Sequence, residues 1–210
     1  MQVNIDSQSN NAPIERLSTG IRQEQIANAA LQLISEQGIE SLSIAAIANQ
    51  LGLVASAVYR HFANKEEILH AVNRLITQRL INNIRRVSQE TQDPVERLQK
   101  LLQLHVDIVQ RNDGIPRYVF TTGVESAQSE RKQLLFQGVR IYLERVAELF
   151  AAGQRSGRIK QDLDPDTLAY MFLGLIQTAI FLSQLGDGHY DIETQVEKAW
   201  QVFISGIQLT

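Results

Sequence analysis

Apolar residues recur every three to four positions along nearly the whole chain, the spacing of a single helix face, and alternating β-branched runs of the kind a strand needs are few. The pattern predicts an all-α chain of about nine helices, over 18–37, 44–51, 55–61, 65–90, 94–111, 115–123, 129–153, 165–185 and 192–208. Backbone chemistry punctuates these segments. Gly38 and Gly52 follow helices, and Asp93-Pro94 and Asp164-Pro165 open them.

The stretch from Ser43 to Leu69, SIAAIANQLGLVASAVYRHFANKEEIL, is the most informative. Ser43 is a good N-cap for a helix whose Ile44, Ile47, Ala48 and Leu51 share one stripe, and Gly52 supplies a left-handed turn residue. Ala48 is small where the next helix crosses, and Leu53 and Val58 fill the angle between the two. Ala55, Ser56, Ala57, Tyr59 and Arg60 are left facing outward, a surface slim enough for a groove. Asn64 with Glu67 forms a capping-box variant at the following helix start, where phosphate is favoured. This is helix-turn-helix patterning.

The longer stretch RQEQIANAALQLISEQGIESLSIAAIANQLGLVASAVYRHFANKEEILHAV strongly resembles the DNA-binding domain of tetracycline-repressor (TetR) family regulators. GQRSGRIKQDLDPDTLAYMFLGLI is similar to the family's approach to its penultimate helix, whereas residues 76–150 match only in helical character. The resemblance implies an N-terminal three-helix DNA-binding domain over 18–64, after a flexible arm at 1–17, and a C-terminal helical ligand-binding and dimerisation domain over 65–210. It further implies that Ala55 to His61 form the recognition helix in the major groove. By position, Ala55, Ser56, Ala57 and Arg60 would approach base edges, and Ser43, Tyr59, His61 and Lys65 would hold phosphates. Arg60 is the long donor on that face and reads either a guanine or a phosphate; Tyr59 and His61 could instead pack within the small domain.

Charge adds a constraint. The chain has a formal net charge of -3 and a pI near 5.8, so a nucleic-acid surface must be local. Even there the balance is slight, with Arg16, Arg22, Arg60 and Lys65 against Glu24, Glu36 and Glu40, which predicts modest nonspecific affinity. There is no cysteine, which excludes disulfide scaffolds, thiol nucleophiles and thiolate zinc sites and is compatible with the cytoplasm. The polar N-terminus has no apolar run of the signal-peptide kind. From Thr167 to Gly186 no charge occurs, close to a bilayer's need of about 20 residues. Asp164, Asp166 and Asp187 border that run in place of basic anchors, so no membrane partner is expected.

His105 lies in the stripe Leu98, Leu101, Leu102, Ile108 and Val109, where it is either a hydrogen-bonded core residue or a ligand contact. Gln177 poses the same choice between ligand and dimer contact. Tyr118, Phe120, Phe136, Tyr142, Tyr170, Met171 and Phe172 read as core. The resemblance implies a cavity among helices five to eight, in which Tyr142 and Phe172 would join His105 and Gln177. The last helix sets Ile192, Val196, Trp200, Phe203, Ile204 and Ile207 on one stripe. The family's four-helix dimer bundle implies an interface at Trp200, Phe203, Ile204 and Ile207, and dimerisation implies a palindromic operator.

No HExxH, Gly-rich phosphate loop or GxSxG occurs, and His61, His70, His105 and His189 lack metal-ligand spacing. The reading is thus a non-enzymatic regulator with no cofactor and no metal, whose partners are a double-stranded DNA operator, a small-molecule ligand and a second copy. A helical protein-interaction adaptor is the alternative, and it leaves the helix-turn-helix surface unexplained.

Overall fold

Capping side chains set where most of the helices begin. In the computed structural model, which describes residues 18–111, 114–125, 129–186 and 191–209, Ser43 Oγ accepts from Ala46 N at 3.1 Å and Asn64 Oδ1 from Glu67 N at 3.0 Å. Asp93 Oδ1 accepts from Val95 N at 2.8 Å, and Asp164 Oδ2 from Thr167 N at 2.8 Å. The bonds from the Thr167 side chain and backbone hold the Asp164 carboxyl below its ordinary range. The resulting order among the described residues is α1 (Thr19–Gln37), a 3-10 turn (Ile39–Ser41), α2 (Ile44–Gln50), α3 (Ala55–Tyr59), α4 (Lys65–Glu90), α5 (Pro94–Gln110), α6 (Gly114–Gly123), α7 (Glu130–Arg155), α8 (Pro165–Leu185) and α9 (Ile192–Ile207). The arm expected over 1–17 and His189 lie outside the described residues.

Two hydrophobic cores form among the described residues. The first joins α1, α2 and α3 through Ile26, Leu31, Ile34, Ile47 and Val58 to the first half of α4 and to Ile115 and Tyr118 of α6. The second joins Ile84 and Val87, late in α4, to α5, α7, α8 and α9. Its centre is a set of edge-on rings, Phe150 against Phe172 and Phe203 at 6.0 Å and Phe172 against Trp200 at 6.3 Å. Beyond α9 the chain is pinned to the α7–α8 connection, with Lys160 N donating to Ile207 O at 2.9 Å and Leu209 N to Arg158 O at 3.1 Å.

Several features depart from the expected pattern. The reading helix ends at Tyr59 rather than His61, because Phe62 must turn into the core before the Asn64 cap. The 3-10 turn after Gly38, which has φ 83°, leaves no period for a sequence to show. Phe120, Phe136, Tyr170 and Met171 are exposed rather than core. The α9 stripe with Trp200, Phe203, Ile204 and Ile207 is buried in the second core against the chain's own α7 and α8. α8 is long and apolar enough to cross a bilayer, but Leu168, Phe172, Ile176 and Ile180 are buried in the second core. Its other face, with Tyr170, Met171, Phe181, Leu182 and Leu185, is exposed.

Candidate nucleic-acid interface and ligand cavity

The α2–α3 unit is held by local bonds. Gly52 takes φ 64°, which a side chain would disfavour, and lets Leu53 N donate back to Ala48 O at 2.8 Å. Val58 is buried, which turns Ser56, Tyr59 and Arg60 to solvent and leaves Ala55 and Ala57 half-buried. Tyr59 is 56% exposed, so it is not a packing residue. The Arg60 guanidinium makes no hydrogen bond or ion pair among the described residues and is free to reach outward. His61 is half-buried. Gln23 Nε2 donates to its carbonyl at 3.4 Å, and its own Nδ1 is buried without a partner.

The two remaining phosphate candidates flank this unit. The Ser43 hydroxyl oxygen caps α2, and its O–H stays available to donate. Lys65 Nζ donates to Ile39 O at 3.4 Å, tying the start of α4 to the 3-10 turn. The capping box closes one residue early, since Glu67 Oε2 accepts from Ala63 N at 2.8 Å.

A cavity of about 70 Å³, open to solvent along part of its wall, lies among α4, α5, α6, α7 and α8. Ile76, Leu80, Val109, Val119, Val139 and Leu173 supply much of its apolar wall, and no lining residue carries a full charge at neutral pH. Three of the four expected ligand residues, His105, Tyr142 and Gln177, line it. Phe172 does not; it is buried in the ring cluster of the second core. His105 Nδ1 lies 3.2 Å from the Tyr142 hydroxyl, so the core and ligand readings of this histidine coexist. Burial pushes His105 down to about 4 and raises Tyr142, which leaves a neutral imidazole against an undissociated phenol. The Gln177 amide has no hydrogen-bond partner among the described residues.

Besides α4, which runs from the first core into the second, α6 joins the cavity to the helix-turn-helix unit. α6 offers Pro116, Val119 and Phe120 to the cavity. From the same helix, Arg117 donates to Ser35 O at 2.6 Å at the end of α1, where a cation also suits the helix dipole. Tyr118 donates to Leu69 O of α4 at 3.1 Å. Arg131 at the start of α7 pairs with Glu125 and, at 3.4 Å, with Glu66 in the first turn of α4.

The profile of "Bacterial regulatory proteins, tetR family" matches residues 26–72, covering the helix-turn-helix, and that of "YsiA-like protein, C-terminal region" matches residues 73–206. The chain belongs to the TetR family. As a TetR-family protein it is a DNA-binding transcriptional regulator, and the family is non-enzymatic. The TetR-family chain is 25% identical over 185 residues to the fatty acid metabolism regulator protein of Bacillus subtilis, covering 87% of this chain and 94% of that one. It is 25% identical over 191 residues to nucleoid occlusion factor SlmA of Vibrio vulnificus, covering 89% and 96%. Its fold is similar to that of FadR from Bacillus subtilis in complex with stearoyl-CoA, with a TM-score of 0.73, 23% identity, and coverage of 88% of this chain and 98% of that chain.

Proposed function

We propose that this TetR-family regulator is a cytoplasmic homodimeric repressor that leaves a palindromic operator when a long-chain acyl-CoA enters the α4–α8 cavity. The observation that carries the reading is the cavity itself: an apolar, uncharged interior walled by the two helices, α4 and α6, that also build the core of the DNA-binding unit. An acyl chain suits such walls, while the nucleotide phosphates must stay outside, since nothing within neutralises them. The stearoyl-CoA complex of a similarly folded regulator favours the same ligand class. His105, Tyr142 and Gln177 are the groups that would meet a thioester carbonyl or the pantetheine amides.

The working units are the DNA-binding unit over 18–64 and the ligand-binding and dimerisation unit over 65–210, with α4 running between them. On DNA, Ala55, Ser56, Ala57 and Arg60 would face base edges, and Ser43, Tyr59, His61 and Lys65 the phosphates. The dimer would form through the outward face of α8 and α9. Met171, Gly174, Leu175, Gln195 and Ala199 line a groove there, and Val202 beside it is 75% exposed. A ligand that displaces α6 would pull α1 through Arg117 and α4 through Tyr118, changing the spacing of the two reading helices.

Gel shift on promoter fragments with and without oleoyl-CoA tests the reading. Binding should weaken with oleoyl-CoA and not with free CoA, because a ligand shifts the equilibrium only by its differential affinity. Operator binding that is indifferent to acyl-CoAs of every chain length would rule out the ligand assignment.

A further inference from the structure

The recognition helix begins differently from its neighbours. α1, α2, α4, α5, α7, α8 and α9 each start on a Ser, Asn or Asp whose side chain accepts a backbone N–H. α3 starts on Val54, which has no acceptor to offer. A valine there forgoes a stabilising cap, and burial does not compensate, because Val54 is 68% exposed. Its neighbour Leu53 packs against the first core, so the turn has an apolar anchor without it. Two methyl groups therefore stand in water at the leading end of α3, one residue before the short side chains of Ala55 and Ser56.

The major groove carries one apolar feature on its base edges, the thymine 5-methyl group. Ala55 and Ala57 are half-buried and short, Ser56 and Arg60 are polar, and Val54 is the exposed aliphatic side chain on this end of the helix. We propose that Val54 is a specificity-determining residue that packs against a thymine methyl in each operator half-site, an inference that rests on α3 being the reading helix. In the complex the methyl contact replaces the water that the free protein tolerates, and the absent cap is the cost of placing an aliphatic group there.

Deoxyuridine tests this directly, since it removes the 5-methyl group and keeps every hydrogen-bonding atom of thymine. An operator is selected from random duplexes with the full-length protein, and each thymine is replaced in turn. Losing one buried methyl should weaken wild-type binding about fourfold at one thymine in each half-site. Val54→Ala should bind thymine and deoxyuridine operators alike at that position. Val54→Ser, which restores a cap acceptor, should melt at higher temperature than the wild type and likewise ignore the methyl. A wild type insensitive to every deoxyuridine, or an unchanged penalty in both variants, overturns the role of Val54 while leaving α3 as the reading helix. If random duplexes yield no preferred site, the reading of α3 itself fails, and the role of Val54 fails with it.

Discussion

Acid should weaken this fold through His105, and the size of the effect follows from its burial. The imidazole is 7% exposed, between the Tyr142 hydroxyl and the apolar cavity wall, and desolvation lowers its pKa from 6.5 to about 4. Above pH 6.5 the ring is neutral in both folded and unfolded chains and contributes no pH dependence. Below it the unfolded chain takes up a proton that the folded one refuses, so stability falls as pH drops and levels off near the folded value. With about 1.4 kcal/mol per pKa unit, the loss is about 2 kcal/mol at a pH of about 5, with a ceiling of roughly 3 kcal/mol. His105→Gln removes the titration. The variant will be less stable at neutral pH, so the quantity to compare is the change between about pH 8 and about pH 5, from urea unfolding at one fixed protein concentration. Other acid-sensitive groups, including the depressed Asp164 and Asp191, cancel in that difference. Parallel pH profiles for wild type and variant would show that His105 is hydrated or protonated in the folded state, and the burial argument would fail.

Trp200 and Val202 separate core from interface on one helix. Trp200→Ala empties a site that is 1% exposed beside Phe172 and Phe203, and should cost about 3–5 kcal/mol in chemical denaturation. Val202→Asp should leave the far-ultraviolet spectrum intact and shift sedimentation at micromolar concentration from dimer to monomer. A folded, dimeric Val202→Asp would move the interface away from the outer α8–α9 face. Arg117→Ala severs the bond to Ser35 and should hold operator affinity within about threefold while removing most of the acyl-CoA response, since couplings of this kind are worth about 1–3 kcal/mol. An undiminished response would take Arg117 out of the coupling path.

Helix positions, the glycine turn and the caps were legible in the sequence because each is settled within about four residues. Ser43 caps α2, Asn64 and Glu67 frame the start of α4, and Gly52 reverses the chain, all through hydrogen bonds between near neighbours. The outward placement of Ser56, Tyr59 and Arg60 follows from the buried Val58, again at helical spacing. A periodic stripe states that a helix face is buried and says nothing of what covers it. Trp200 therefore reads, through the resemblance, as a partner-chain contact, whereas the packing of α8 on α9 sets its ring against Phe172. The two apolar faces of α8 differ in the same way, one covered by α7 and α9 and the other left bare. His105 meets Tyr142 across 37 positions and Arg117 meets Ser35 across 82, so neither pairing leaves a local trace. Local geometry made the helices and the outward side chains of α3 visible in advance, whereas the cavity, the bonds of α6 to α1 and α4, and the bare outer face of α8 depend on how helices far apart in the chain come to lie side by side.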